Sequence, residues 1–369
     1  MENRFPRRPC FFNFSAILGV VDSMKSRSIL AAVAVVVVVA IAITAFLLMK
    51  EKPEANPPEN ETSPDITNVT IRYGGQYYAG EFLLYGLGPQ FWHKYGIYVS
   101  HYIFPSAGPA NDALIAGSID INCGADTRTV TLFTAMPDQA LIIGTVERGD
   151  RYSTIVSVNS TYQNWNDLKG KKIGIKLGTG GECVLRKYFD QQGIKWEDYQ
   201  WLNMEVTDMV AYLQQGKIDA FHAWEFTPSI AEAKGVGRVI RTYGDIALTP
   251  ASIHTTKKFV EENREAVVRF LAAQMEKADL IKNNPDEAAR IAHEAAAQIG
   301  VDVPPDAFKK SFQRVDYQIE FNQTIIDAVV ETAEFLKSQK KIESIPTIVW
   351  DDTLLEDARK YYEKVKQKG

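Results

Sequence analysis

Hydrophobic positions divide the chain into three regimes. Between Ile29 and Met49 the sequence ILAAVAVVVVVAIAITAFLLM carries no charge and only Thr44 as a polar side chain. A helix of that length crosses about 30 Å of hydrocarbon, so residues 29–49 are predicted as a transmembrane anchor. Residues 50–68 are polar and interrupted by Pro53, Pro57, Pro58 and Pro64. They block helix, have nothing to bury, and read as a disordered linker. From Val69 onward, short β-rich runs alternate with helical stretches, the pattern of an α/β fold with mainly parallel sheets.

Strand runs at 69–74, 97–104, 119–123 and 140–146, with helices at 81–95, 110–117 and 127–135, make a first lobe over 69–148. Strand runs at 152–158, 172–177, 218–223 and 238–241, with helices at 182–192 and 208–215, make a second over 149–250. Residues 251–369 then turn helical, at 257–283, 285–299, 305–315, 324–339 and 352–366, and are expected to return to the first lobe. Two crossings, at 147–152 and 246–253, join the lobes. Such a double connection is a hinge about which lobes can close on a ligand.

Composition changes this picture little: 369 residues, 46% hydrophobic and 24% charged, are those of a globular protein. Charge orients the anchor. Arg4, Arg7, Arg8, Lys25 and Arg27 precede it, whereas Glu51, Lys52 and Glu54 follow. The positive-inside rule therefore puts residues 1–28 in the cytoplasm as a short tail and everything after Met49 outside the cell. A cleaved signal peptide is the competing reading, with Ala40-Ile41-Ala42 as a small-x-small site. Cleavage there leaves the apolar residues 43–49 at the new terminus, and no cysteine follows the run to carry a lipid. Met24 offers an alternative start. Cys10 lies across the membrane from Cys123 and Cys183, so the cysteines form no disulfide framework and are read as free thiols. A net charge of −5, with no basic cluster in the exported part, argues against nucleic acid or an anionic surface as partner. Asn60, Asn68, Asn159 and Asn322 each open a glycosylation sequon, which is consistent with export.

Ligands of open α/β sheets bind beyond the carboxyl ends of the strands, so the loops there hold the candidate chemistry. Gly75-Gln76-Tyr77-Tyr78-Ala79-Gly80 offers an amide and two aromatic faces, or else a turn whose tyrosines pack under the next helix. Ser106 stands where a hydroxyl and helix-start N–H groups meet an anion, or marks an ordinary helix entry. Gly124-Ala125-Asp126-Thr127 falls at the end of a buried strand, on the cleft. Gly178-Thr179-Gly180-Gly181-Glu182-Cys183 resembles a dinucleotide fingerprint, but Cys183 replaces the third Gly or Ala and no nicotinamide pool exists outside a cell. Its N–H groups suit a carboxylate or sulfonate, with a plain glycine turn as the alternative. In residues 218–228 a strand delivers Trp224 and Glu225, an aromatic face beside a carboxylate, before Pro228 opens a helix. A buried Trp with a capping Glu is the structural alternative.

Taken in order, residues 107–126 with their Ala-Leu-Ile-Ala-Gly-x-x-Asp core, the run Asp167-Leu168-Lys169-Gly170-Lys171-Lys172-Ile173-Gly174, and the run from Asp219-Ala220 to Trp224-Glu225 resemble the nitrate/sulfonate/taurine and thiamine-precursor binding proteins of ABC importers. The likeness extends over residues 69–340. It implies a two-lobed type II periplasmic-binding-protein fold in which each lobe is a mainly parallel sheet flanked by helices. It further implies a monomer that captures a small molecule in the interlobe cleft and delivers it to an ABC permease and its ATPase, without catalysis, cofactor or metal. Carried over by motif, its ligand loops point to Gln76, Tyr77, Ser106, Asp126, Thr127, Glu147, Thr179, Gly180, Trp224 and Glu225. Trp224 is expected to be partly exposed in an open form and buried in a closed one.

The helix start at Thr179 suits a sulfonate, whereas Asp126, Glu147, Glu182 and Glu225 prefer an amine or a protonated heterocycle. A sulfonate, a zwitterion or a nitrogen heterocycle is therefore the expected ligand. An enzyme is the main rival, because fungal relatives of this family make the thiamine pyrimidine, but that activity depends on a cysteine-rich segment and the exported part holds only Cys123 and Cys183. Other chemistries lack their motifs. His293-Glu294 is followed by Ala297 where a zinc protease needs His, there is no Gly-x-Ser-x-Gly, and no Walker lysine follows the glycines. His93, His101, His222, His254 and His293 show no metal-ligand spacing. A ligand-presenting receptor module is the remaining alternative.

Overall fold

Two sheets organise residues 69–367, the part of the chain that this computed structural model describes. The expected tail, anchor and linker at 1–68 lie outside the described residues, and among those described no helix is long and apolar enough to cross a membrane. The first sheet holds β1 (Thr70–Gln76), β2 (Tyr98–Phe104), β3 (Ile121–Ala125) and β4 (Ala140–Gly149). The second holds β5 (Tyr152–Ser157), β6 (Lys172–Ile175), β7 (Gln200–Asn203), β8 (Ala220–Trp224) and β9 (Gly237–Thr242). The chain then returns to the first sheet as β10 (Ala251–Thr256) and β11 (Val315–Asp316), giving the orders β11-β4-β10-β3-β1-β2 and β7-β6-β8-β5-β9.

Each sheet contains one long reversed strand in its interior. β10 runs antiparallel to both β3 and β4, and β5 runs antiparallel to both β8 and β9. A chain that leaves one sheet at its cleft edge enters the other at the cleft edge too, and must run away from it. The strand after each crossing is thereby forced to oppose its neighbours. Residues 251–253, expected as part of a crossing, thus belong to a central strand, with Ser252 opposite Gly124 and Ala251 opposite Glu147.

Helices clothe both sheets. α1 (Ala79–Lys94), α2 (Ala107–Ile115) and α3 (Asp126–Ala135) belong to the first lobe, and α4 (Gly180–Gln192), α5 (Val206–Gln214) and α6 (Thr227–Ala233) to the second. In the helical return, α7 (Lys257–Asn283), α8 (Pro285–Gln298), α9 (Pro305–Arg314), α10 (Gln323–Ser338) and α11 (Thr353–Lys366) follow one another. α7 packs on α11 and α1, α8 on α1, and α10 on α3, while α9 also reaches across to α6. There Phe82 and Phe308 of the first lobe meet Phe226 of the second, with ring centroids 5.5 and 4.7 Å from it. The second lobe has its own aromatic core, in which Trp196 stacks on Trp201 at 3.9 Å and Trp165 packs edge-on against Phe189. Cys123 and Cys183 are buried free thiols.

Two buried histidines tie acidity to stability. His254 of β10 lies with Nε2 2.8 Å from Thr129 Oγ1 and Nδ1 3.0 Å from Asn122 Oδ1. His222 of β8 lies under the α4 start, with Nδ1 3.2 Å from Thr154 Oγ1. Burial lowers both rings to a pKa of about 3. An unfolded histidine titrates near about 6.5, so from there down toward 3 the unfolded chain takes protons that the fold refuses, and stability falls as pH falls. Each histidine is expected to cost about 2 kcal/mol at pH 5. Buried Asp126 and Glu225, whose carboxyls burial pushes up, act in the opposite sense. The clean readout is therefore a difference. Between pH 7 and 5 the melting temperature of His254→Gln should fall less than that of the wild-type protein, and equal slopes would sink the assignment.

Candidate functional site

The carboxyl ends of the parallel strands meet between the lobes, around a cavity of about 30 Å³. Gln76, Tyr78, Ser106, Ala107, Ala125, Thr127 and Arg128 line it from the first lobe, and Tyr152, Lys176, Thr179, Gly180 and Trp224 from the second. That volume holds about two water molecules, so an organic ligand can enter only if the lobes part. The lobes are in contact around it. Arg128 donates from Nη2 to the Gly178 carbonyl at 3.2 Å, Lys187 of α4 pairs with Glu331 of α10 at 2.6 Å, and Arg314 of α9 bridges to Glu225 and, at 2.6 Å, to Glu232.

Local structure explains each placement. β1 ends at Gln76, whose amide donates to the Cys123 carbonyl of β3 and is thereby locked at the sheet edge. Ser106 precedes α2, and Thr127 and Arg128 form the first turn of α3. A relay fixes that turn: His254 to Asn122, Asn122 Nδ2 to Asn111 Oδ1 at 2.9 Å, and Asn111 Nδ2 to the Arg128 carbonyl at 2.9 Å. Thr179 precedes α4 and gives its hydroxyl to the Lys176 carbonyl at 2.7 Å, while Gly178 N–H donates to Glu182 Oε2 at 2.7 Å. The Glu182 carboxylate is thus occupied with its own loop and with Arg186. The first N–H groups of α4 have no intrahelical acceptor, and its first residue, Gly180, lines the cavity, so helix polarity favours an anion near this end. Trp224 closes β8 directly opposite Tyr152, which opens β5, so both aromatic rings arrive at the same edge.

Six of the residues expected from sequence, Gln76, Ser106, Thr127, Thr179, Gly180 and Trp224, line this cavity, and four do not. Tyr77 turns into the apolar contact between lobes, against Phe82 at 5.2 Å and Phe226 at 5.4 Å, where burial pushes its hydroxyl up to a pKa of about 12. Asp126 is buried, accepting from Thr332 Oγ1 at 2.8 Å and from Thr127 N–H at 2.7 Å. Glu147 is buried against Arg151 at 2.7 Å. Glu225 takes Ser229 Oγ at 2.7 Å and the Arg314 guanidinium. The carboxylates read as favouring a cationic ligand are each consumed by internal partners. In their place the cavity lining includes two half-buried cations, Arg128, which donates to the Gly178 carbonyl, and Lys176, whose ammonium is paired with Glu205.

Besides Ala107 and Ala125, four lining residues lie outside the set expected from sequence. Tyr78 is in sequence only one of two adjacent aromatic residues of its loop. Lys176 follows β6 immediately, at a strand end where a polar residue after KIGI was the available signal. Arg128 lies in the first turn after a strand end, next to Asp126 and Thr127. Tyr152 escaped because it begins a reversed strand: reading strands at their carboxyl ends passes over the one whose first residue faces the cleft.

Comparison with known proteins agrees with this architecture. The taurine-binding periplasmic protein of Escherichia coli K12 is 23% identical over 255 residues, covering 66% of this chain and 78% of its own. The crystal structure of the periplasmic aliphatic sulphonate binding protein SsuA from Escherichia coli superposes with a TM-score of 0.67 at 22% identity, covering 77% of this chain and 92% of that one. The alkanesulfonate-binding protein SsuA of Xanthomonas axonopodis pv. citri, solved with MOPS bound, gives a TM-score of 0.64 at 18% identity, covering 81% of this chain and 99% of that one. These neighbours are two-lobed binding proteins, and the fold is theirs. The family model described as NMT1/THI5 like matches residues 90–288, more than half of the sequence, and the chain belongs to that family.

Proposed function

We propose that this chain is the extracytoplasmic solute-binding subunit of an ABC importer, closing its two lobes on a small sulfonate or sulfonate-bearing zwitterion and handing it to a permease without chemical change. The observation that carries the reading is the interlobe cavity, where Arg128, Lys176 and the start of α4 converge between the rings of Tyr78, Tyr152 and Trp224. Arg128 beside helix-start N–H groups, with Lys176 exchanging its Glu205 partner for the ligand, matches an oxyanion, and the aromatic walls suit a short apolar or cyclic remainder. The named relatives bind taurine and aliphatic sulfonates, which supports the same class. The apolar run at 29–49 would tether a monomeric binding domain to the outer face of the membrane.

The test is a thermal-melting and tryptophan-fluorescence titration of the full-length protein with taurine, alkanesulfonates, MOPS, nitrate, aminopyrimidines and amino acids. Ligand at about 100 times Kd should add about 2.7 kcal/mol to stability. Arg128→Gln and Lys176→Gln should each weaken sulfonate binding by about 10-fold or more, the worth of a charge-assisted hydrogen bond. Binding of a neutral aminopyrimidine but no sulfonate, or conversion of any compound into product, would overturn the proposal.

A further inference from the structure

The largest fully buried side chain outside the cavity wall is Arg151, one residue before Tyr152 in the first crossing. Its surroundings belong to every part that must move when the lobes do. Nε donates to Glu147 Oε1 at 2.7 Å, on the last turns of β4, and Nη1 donates to the Thr249 carbonyl at 2.9 Å, on the second crossing. The crossings are further stitched by Gly149 N–H to the Leu248 carbonyl at 2.8 Å and Thr249 Oγ1 to the Gly149 carbonyl at 3.2 Å. Thr249 holds a φ of 46°, unusual for a side chain branched at Cβ, so the backbone there is kept in place by its contacts. The guanidinium carbon lies 5.2 Å from the ring centre of Tyr78 and 5.5 Å from that of Tyr152. One ring comes from each lobe, and both line the cavity. The Arg151 carbonyl accepts the Glu225 N–H at 2.6 Å, beside Trp224.

We propose that Arg151 is the positioning residue that couples occupancy of the cleft to the hinge: its guanidinium is held between two cavity-lining rings while its hydrogen bonds fasten both crossing strands together. A ligand that orders Tyr78 and Tyr152 fixes the guanidinium lying near their rings. The guanidinium in turn fixes the angle between the crossings. Opening the lobes carries Tyr78 and Tyr152 apart, so one of the two cation–ring contacts has to be given up. This coupling rests on the reading of the cavity as a ligand site.

The experiment compares interlobe distances by pulsed electron paramagnetic resonance, with spin labels at Asp112→Cys and Lys195→Cys, exposed sites on the two lobes, in a full-length Cys10→Ser background. Cys123 and Cys183 are buried and stay in place. Removing Arg151 alone strands Glu147 in the interior, so the principal variant is Arg151→Met with Glu147→Leu, which deletes both charges together. Arg151→Lys is the second, keeping the charge but not the two-strand grip. Both should fold and both should show a broader, longer interlobe distance distribution than the wild-type protein before any ligand is added. If the closed population drops to about one tenth, apparent affinity for taurine or MOPS falls about 10-fold. A folded variant with wild-type distances overturns the proposal, because a mere core filler would lower the melting temperature and leave the distances alone. Widened distances with unchanged affinity overturn it as well. A wild-type protein that binds none of the probes would defeat the sulfonate reading, whereas the unliganded distances would still decide the role of Arg151.

Discussion

Gly180→Ala should weaken ligand capture by about 100-fold while leaving the protein folded. A Cβ at this position would lie 2.3 Å from the Tyr152 hydroxyl oxygen and 3.1 Å from Asp126 Oδ1. Neither can retreat easily. Tyr152 is buried and stacked on His222 with ring centres 5.9 Å apart, and Asp126 is held by Thr332 and the Thr127 N–H. The tyrosine has to swing toward the cavity, or the lobes have to stay apart, and either result removes the site. Overpacking of this kind costs about 1–3 kcal/mol, so a dissociation constant raised by about 100-fold is expected, measured by calorimetry with whichever sulfonate the wild-type protein binds. Gly181→Ala is the matched control. Its added Cβ would meet nothing closer than 3.4 Å, so affinity should stay within about threefold, less than 1 kcal/mol. Equal affinities for the two variants would show that α4 does not approach the ligand where the geometry places it.

The second large effect is expected at Arg314→Met. Glu225 is buried beside the site, and Arg314 from the opposite lobe is its cationic partner; Ser229 supplies the other hydrogen bond. Burial alone pushes the Glu225 carboxyl up, and Arg314 opposes that shift. Removing the guanidinium leaves a carboxylate shut in the closed interface, at a cost of about 3–5 kcal/mol. Opening the lobes or taking up a proton relieves it. Weaker binding at pH 8 than at pH 5.5 is therefore expected of this variant, since protonation below the raised pKa restores what is lost above it. Adding Glu225→Gln, which keeps an acceptor for Ser229, should recover most of the affinity. Failure of that rescue would mean that Arg314 acts through Glu232 or through packing instead.

Much of the fold was legible because it is written in periodicities that local physics obeys. A short apolar run such as 140–146 bounded by polar residues reads as an interior strand, and the α/β alternation from residue 69 leaves few arrangements. Strand ends also located much of the cavity, since Trp224, Thr179 and Thr127 each follow from where a strand stops. What stayed hidden was set by partners distant in sequence. Nothing local shows that Glu225 will meet Arg314 or that Asp126 will meet Thr332, so these buried carboxylates read as ligand charges. Nor does sequence show that residues 251–256 thread between β3 and β4. β7, a half-exposed edge strand of four residues, has no two-residue alternation to reveal it.

That threading has a consequence for how the molecule can be assembled during its synthesis. β3 pairs with β1 and β10, while β4 pairs with β10 and β11, so β4 has no partner among β1 to β3. The earlier strands of the first sheet must wait, with an edge uncovered, until the ribosome has delivered some hundred further residues. The second sheet has no such dependence: β5 to β9 are contiguous in the chain and pair only among themselves. The lobe that appears second is thus the first that can be finished, and the vulnerable interval in the life of this protein is the one in which β3 and β4 stand unjoined.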